Sequence, residues 1–191
     1  GRIIDDAVFY NKNSMTAQQI QQFLDAKVPS CDRWRASTNA SYQPPWTCLK
    51  EYQENTVTKE NNIGRFNANG TPYLVPGGKG AAQIIWDVAQ EYGINPQVLI
   101  VMLQKEQGLI TDTWPWRVQY QKAMGYACPD TAPCDAQYYG FYNQVSSAAW
   151  QLKKYIECAN GCYDAATGRR YGPYNFKAGV TRYIQYSPNA A

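Results

Sequence analysis

The stretch Asn95–Leu109, NPQVLIVMLQKEQGL, decides the fold because it describes one complete helix with a start, an apolar body and a stop. Asn95 is a good N-cap residue, and Pro96 suits the first helical position. The apolar run VLIVML then predicts a helix buried in a hydrophobic core on all sides. Gly108 can end the helix in the left-handed conformation. The stretch therefore predicts a central helix, around which the rest of the domain packs.

One carboxylate lies at the C-terminal end of this apolar helix. Glu106 follows Met102 by four residues and Leu103 by three, so we expect it on the same face as those side chains. Burial and the negative end of the helix dipole both disfavour the charged form of a carboxyl group there. Lys105 would oppose this effect, but we expect it to point elsewhere. The pattern predicts that Glu106 is a general acid. The alternative is that Glu106 is merely the first polar residue after a buried helix.

The composition excludes several classes of protein. With 191 residues, the chain suits one domain with a small N-terminal extension. A net charge of +3, from 18 basic and 15 acidic residues without a run of either, gives little support to nucleic-acid binding. No window approaches the roughly 20 apolar residues of a membrane span. A mildly basic surface would suit an anionic polymer such as a cell wall.

The six cysteines occur as three close pairs along the sequence. Sequential pairing predicts three disulfides, which are Cys31–Cys48, Cys128–Cys134 and Cys158–Cys162. Zinc is the alternative, but the chain has no histidine and no C-x-x-C motif, so we predict no metal site and no cofactor. Disulfides in turn predict a secreted protein.

The side-chain inventory narrows the possible chemistry further. Without histidine, the chain cannot use a Ser-His or Cys-His mechanism, and carboxylate chemistry remains. Sixteen tyrosines and six tryptophans against five phenylalanines supply rings that can pack on one side and hydrogen-bond on the other. Such rings are typical of sugar-binding clefts, although they can equally be structural.

Periodicity predicts a mainly α protein with a loop-rich middle. We predict an extended or weakly ordered N-terminal segment over residues 1–14, and loops with short strands over residues 30–80. Residues 111–133 are predicted to have irregular structure. Apart from the helix after Asn95, the predicted helices follow a Thr16–Gln19 capping box, span 81–92 and 144–157, and include a last short one near 178–185. We predict an N-terminal, disulfide-stapled extension over 1–78 packed on a core domain over 79–191.

Three motifs resemble the lysozyme superfamily. The helix ending LQKEQGL is similar to the helix ending in E-S-G-G of goose-type lysozymes and lytic transglycosylases, and Glu106 matches its catalytic glutamate. The segment AMGY at 123–126 resembles the G-L-M-Q or N-L-F-G-I segment that lines the cleft in those enzymes and in autolysin-type glucosaminidases. The run YGFYNQV at 139–145 resembles the F-x-x-Y element of the glucosaminidases. The departures are Gln107 in place of the usual serine, and the absence of M-Q after the glycine.

The resemblance implies a lysozyme-like core and a secreted enzyme that cleaves peptidoglycan at β-1,4 bonds between N-acetylated amino sugars. Glu106 would be the general acid of this muramidase, lytic transglycosylase or glucosaminidase. Candidates for a second carboxylate are Asp130, Asp135 and Asp112, although lytic transglycosylases use one glutamate alone. The residues expected to contact the sugar are Tyr126, Tyr138, Tyr139, Tyr142, Trp114, Trp116 and Gln107.

Over nearly its whole length the chain also resembles a group of secreted Gram-positive proteins described as hemagglutinin-like. Shared stretches are SMTAQQIQQFLDAKVPSC, LIVMLQKEQGL, AMGYACPDTAPCDAQYYGFYNQV and YSPNA. This resemblance implies an alternative function, a non-catalytic module that binds cell-wall glycan or acts as an adhesin. In either case the expected partner is the cell-wall glycan, with no nucleic acid and no membrane span, and the expected state is a monomer.

Overall fold

The computed structural model describes residues 4–32, 47–54, 78–165, 168–174 and 180, and it confirms a mainly α fold. The helices are α1 (Asp6–Phe9), α2 (Ala17–Lys27), α3 (Ala81–Tyr92), α4 (Pro96–Gln107), α5 (Arg117–Gln121) and α6 (Phe141–Glu157). The strands form two antiparallel pairs, β1 (Gln53–Glu54) with β2 (Lys79–Gly80), and β3 (Cys162–Asp164) with β4 (Arg169–Tyr171). Across the described residues, no helix has the length and apolarity to cross a membrane. The predicted loops of 30–80 fall mostly outside the described residues, as does the predicted helix near 178–185.

Contacts divide the chain into two compact units, Gly1–Lys153 and Lys154–Ala191. The first contains α1 to α5, the β1–β2 pair and most of α6. The second contains the end of α6, the Cys158–Cys162 disulfide and the β3–β4 hairpin, in which Tyr163 pairs with Arg170. The boundary that the sequence suggests near residue 79 remains a prediction.

The predicted helix ends are confirmed for the three N-terminal long helices. Thr16 Oγ1 accepts a hydrogen bond from Gln19 N, and Gln19 Oε1 accepts one from Thr16 N, so the capping box of α2 is complete. Gly93 and Gly108 end α3 and α4 with φ of 70° and 68°, the left-handed conformation that suits glycine.

Asn95 has a wider role than capping α4. Its Oδ1 accepts a hydrogen bond from Gln97 N at 2.8 Å, while its Nδ2 donates to Val8 O at 2.8 Å. Its backbone N–H donates to Phe9 O at 2.9 Å. The prediction that residues 1–14 are extended is therefore wrong in part, because α1 forms there and is anchored to the start of α4.

The hydrophobic core of the first unit lies where α2 packs on α3 and α3 packs on α4. Fully buried members include Ile20, Leu24, Ile84, Ile85, Val88, Leu99, Leu103, Phe141 and Val145. The prediction that α4 is buried on all sides is wrong, since Val101 is 64% exposed. Among the described residues, the buried face of α4 is the one that carries Leu99 and Leu103.

All three predicted disulfides are present. The structure joins Cys31 to Cys48, Cys128 to Cys134 and Cys158 to Cys162. Each bridge closes a short loop, and on the chain-entropy view such loops stabilise the fold by about 2–3 kcal/mol each.

An aromatic cluster attaches the N-terminal segment to the helices. The rings of Tyr52 and Tyr120 stack with centroids 4.0 Å apart, and Phe141 meets Tyr52 edge-on at 5.4 Å. The Tyr120 hydroxyl donates to Thr47 O. Burial raises the pKa of Tyr120 well above its usual value, and interactions with Tyr52 and Asp112 raise it further. Burial, and to a lesser extent the charge of Glu54, also raises the pKa of Tyr52.

These raised pKa values predict a loss of stability in alkali. Above pH about 10 the unfolded tyrosines ionise while the folded ones keep their protons, so the free energy of unfolding falls as pH rises. We expect urea denaturation at pH 8 and pH 10.5 to show this fall, and Tyr120→Phe to reduce it. Tyr163→Phe is the control, because Tyr163 is 60% exposed. An equal fall in both variants would contradict the assignment to Tyr120.

Candidate functional site

Glu106 lies in the last turn of α4, as predicted, but its surroundings differ from the prediction. Its side chain is 32% exposed, and Lys105 Nζ lies 2.9 Å from its Oε1. The expectation that Lys105 points elsewhere is therefore wrong. The Glu106 side chain is therefore partly exposed and ion-paired, rather than buried as the sequence predicts.

The other oxygen of Glu106 lies against the backbone of Gly125. A Cβ atom at Gly125 would be 3.0 Å from Glu106 Oε2, and the residue has a φ of 64°. Glycine is suited to this position because it tolerates the conformation and leaves room for the carboxylate. The AMGY segment and the end of α4, which the sequence marks separately, therefore lie side by side.

The Gln144 side chain holds this segment in place. Its Oε1 accepts hydrogen bonds from Met124 N at 3.2 Å and Tyr126 N at 3.0 Å, one on each side of Gly125. Its Nε2 donates to Tyr126 O at 3.0 Å and to Tyr138 O at 2.9 Å. The amide is fully buried and makes four hydrogen bonds, which is its full capacity. Gln144 therefore sets the backbone on which the Glu106 carboxylate rests.

The loop after this segment contains a strained residue. Ala127 has a φ of 56°, which costs a residue with a Cβ about 1–2 kcal/mol. The strain is held by neighbouring contacts, since Ala127 O accepts from Asp135 N at 2.9 Å and the Cys128–Cys134 disulfide closes the loop. Backbone strain of this kind concentrates at functional sites.

Trp114 and Trp116 line an open cleft of about 480 Å³ beyond the end of α4. Their rings meet edge-on, with centroids 6.2 Å apart. We call it the tryptophan cleft; its lining residues are Gln107, Asp112, Trp114, Trp116, Val118 and Gln119. The structure thus brings together four of the predicted site residues, although the cleft is not lined by Glu106.

The candidates for a second carboxylate have local structural partners. Asp112 accepts from Trp114 N at 2.8 Å and from Gln119 Nε2 at 2.9 Å. Asp135 caps the turn that follows it by accepting from Gln137 N at 3.1 Å. Asp130 lies on the exposed part of the disulfide loop. A catalytic role for any of the three remains a prediction.

The four predicted tyrosines divide into two groups. Tyr138 and Tyr142 are only 8% and 4% exposed, so they belong to the core and offer no ring face to a sugar, which corrects the prediction for both. Tyr126 meets Tyr138 edge-on at 5.0 Å and is half-buried. Tyr139 is also half-buried, and Lys122 Nζ lies 5.7 Å from the centre of its ring.

Tyr139 lines a second cavity, of about 280 Å³, which the sequence does not reveal. We call it the tyrosine cavity; its lining residues are Tyr52, Arg117, Tyr120, Gln121, Tyr139 and Gly140. Residues of α5 line both this cavity and the tryptophan cleft. No sequence pattern indicates α5, because Arg117–Gln121 has too few residues to show a helical period.

Glu54 is a further carboxylate without a sequence signal. Its Oε2 accepts from Tyr142 N at 2.7 Å, in the first turn of α6. A Cβ atom added to Gly140 would lie 3.0 Å from Glu54 Oε1. A carboxylate at a helix start stabilises the helix. Glu54 thus explains why α6 begins at Phe141 rather than at Gln144.

The site chemistry rests on carboxylates, aromatic rings and amides. Among the residues that the structure describes, no group of three or more acidic or cysteine side chains could hold a metal ion. Glu106 is a carboxylate that is accessible to solvent. It lies beside a segment whose backbone conformation is fixed by buried hydrogen bonds. Such an arrangement can donate or accept a proton at a sugar bound over Gly125.

Gln144→Leu should be strongly destabilising, because it leaves two N–H groups and two carbonyls without their partner in the core. We expect the free energy of unfolding to fall by about 3–5 kcal/mol in urea denaturation. Gln97→Leu is the matched control on the exposed side of α4, with an expected change within about 0.5 kcal/mol. Equal effects of the two substitutions would show that the four hydrogen bonds do not stabilise the fold.

Comparison with known proteins gives one match. The family model described as LasA, N-terminal domain, matches residues 2–170. Searches of curated proteins and of solved structures find no match to the chain. The similarity to lysozyme-like enzymes therefore remains a prediction from the motifs. Since the matched region covers most of its length, the chain belongs to the LasA N-terminal domain family.

Proposed function

We propose that this protein is a secreted, cell-wall-directed enzyme that cleaves β-1,4 bonds between the N-acetylated amino sugars of peptidoglycan, with Glu106 as the proton donor. The observation that carries the proposal is the contact between Glu106 Oε2 and Gly125. It joins the end of the helix and the AMGY segment, two of the three motifs that resemble the lysozyme superfamily.

The position of Glu106 suits a sugar that binds across the end of α4. One carboxylate oxygen lies against Gly125 and the other faces Lys105 at the surface, so substrate can reach the group. A bound glycan would exclude water from the carboxylate and disturb the contact with Lys105. Both changes favour the protonated form that a general acid needs.

The three disulfides support the location in this proposal. All six cysteines are paired, which is typical of proteins that function outside the cytoplasm. The tryptophan cleft supports the substrate class, since indole rings pack against sugar faces and the polar side chain of Gln107 also lines the cleft.

A wall-binding module without turnover is the second candidate. The observation that favours it is the Lys105–Glu106 ion pair, in which the carboxylate is already engaged by an ammonium group. Such a module would sediment with insoluble peptidoglycan and release no reducing ends and no anhydro-muropeptides. The enzyme would release one of these products.

Glu106→Gln should lower the rate of wall cleavage by about 10²–10⁴-fold, because it removes the proton donor and keeps the shape of the side chain. Turbidity clearing of purified cell walls measures this rate, and sedimentation with the walls measures binding. Glu91→Gln is the matched control, since Glu91 is exposed and also precedes the last residue of its helix, α3. Full activity of Glu106→Gln would exclude Glu106 as the acid.

Gly125→Ala should impair activity by displacing the Glu106 carboxylate. The new Cβ would lie 3.0 Å from Glu106 Oε2, and a misplaced catalytic group can cost about 10²-fold in rate. Gly93→Ala is the control for backbone strain, because Gly93 has a φ of 70° and no atom within 4 Å of the added carbon. We expect similar losses of thermal stability in both variants and a loss of activity only in Gly125→Ala. An equal loss of activity in both would contradict the role of the contact.

A further inference from the structure

The tyrosine cavity contains polar side chains that form no hydrogen bond or ion pair with the described part of the chain. Within the described residues, Arg117 forms no ion pair, and the Tyr52 hydroxyl, the Tyr139 hydroxyl and the Gln121 amide accept or donate no hydrogen bond. All four line the same space of about 280 Å³. Convergent polar groups in a concave site are typical of a place where a small ligand binds.

The wall of the cavity is rigid. Tyr52 stacks on Tyr120 with an angle of 10° between the rings, and the Tyr120 hydroxyl donates to Thr47 O. Phe141 closes the cluster behind them, 5.4 Å from Tyr52 and 6.2 Å from Tyr120. The site is therefore formed before a ligand arrives, which lowers the entropic cost of binding.

The charges around the cavity favour an anion. Arg117 lines it, and Lys122 lies over the outer tyrosine, Tyr139, with Nζ 5.7 Å from the ring centre. The carboxylates of Glu54 and Asp112 interact electrostatically with the lining residues Tyr52 and Tyr120, and Glu54 also accepts a hydrogen bond from Tyr142 N. Arg117 is the charged side chain among the residues that line the cavity.

We propose that the tyrosine cavity binds a ligand through a carboxylate, with the Arg117 guanidinium as its partner. A planar guanidinium matches a carboxylate in geometry as well as in charge. The hydroxyls of Tyr52 and Tyr139 and the amide of Gln121 bind neighbouring polar groups of the ligand. The volume suits one sugar ring or the end of a short peptide.

The choice of physiological ligand rests on the proposed function. Peptidoglycan offers carboxylates of two kinds, the ends of its peptides and the lactyl group of muramic acid where the peptide has been removed. The shared chemistry is a carboxylate next to an amide. The Arg117 site itself does not depend on catalysis by Glu106.

The test is an NMR titration of the full chain with four probes: N-acetylmuramic acid, N-acetylglucosamine, N-acetylalanine and inorganic phosphate. N-Acetylglucosamine is the matched neutral sugar, because it lacks the lactyl carboxylate. We expect N-acetylmuramic acid to bind more tightly than N-acetylglucosamine and to shift the resonances of α5. N-Acetylalanine that binds as well as N-acetylmuramic acid would support the carboxylate site and identify a peptide end as the ligand.

Arg117→Gln should weaken binding of the carboxylate probes by about 10- to 100-fold, the value expected for a charged hydrogen bond. Tyr139→Phe should weaken it less, since it removes one neutral hydrogen bond. Arg169→Gln is the control, because it removes the same charge from the exposed strand β4. Unchanged binding in Arg117→Gln, equal binding of the neutral sugar, or a preference for phosphate would each overturn the proposal.

Failure of this inference can be distinguished from failure of the proposed function. Glu106→Gln should bind N-acetylmuramic acid like the wild type, since Glu106 does not line the cavity. A wild-type protein that binds the carboxylate but releases no wall fragments would refute the enzyme and keep the site. Wall cleavage that depends on Glu106, with no binding of any carboxylate probe, would refute the Arg117 site and keep the enzyme.

Discussion

The side-chain amide of Gln144 is the interaction on which the candidate site depends. It lies on α6, it is completely buried, and its four hydrogen bonds all go to backbone atoms of the segment between Met124 and Tyr138. That segment has little regular structure of its own, so its backbone groups need partners from elsewhere. One amide supplies two acceptor and two donor contacts and thereby defines the conformation of the loop. The loop in turn places Gly125 against Glu106.

Two glutamates use glycine in the same way. Glu106 rests on Gly125, and Glu54 rests on Gly140, each with an oxygen 3.0 Å from the position that a Cβ atom on the glycine would take. In both cases a carboxylate from one part of the chain meets a turn from another. Glu106 is exposed to solvent and can meet a substrate, whereas Glu54 accepts a hydrogen bond from Tyr142 N at the start of α6. The same local geometry therefore serves a candidate catalytic group in one place and a structural group in the other.

Helix α5 connects the tryptophan cleft and the tyrosine cavity. Val118 and Gln119 line the tryptophan cleft, while Arg117, Tyr120 and Gln121 line the tyrosine cavity. Gln119 also links α5 to the end of α4, since its Nε2 donates to Gln107 O at 2.8 Å. A shift of this short helix would change both surfaces together. All of these elements lie within residues 2–170, the region that matches the LasA N-terminal domain family.

Local sequence patterns predict the features that depend on near neighbours along the chain. The capping box at Thr16, the Asn95 cap, the glycine stops and the sequential disulfides are all local, and all are present. The position of Glu106 at the end of α4 also follows from spacing along one helix. Only the tertiary structure decided its exposure, its contact with Gly125 and the burial of Tyr138 and Tyr142, because these depend on which face of each element finds a neighbour. The start of α6 and the tyrosine cavity depend on Glu54 and Tyr52, which lie far from their partners along the chain, and no local pattern carries that information.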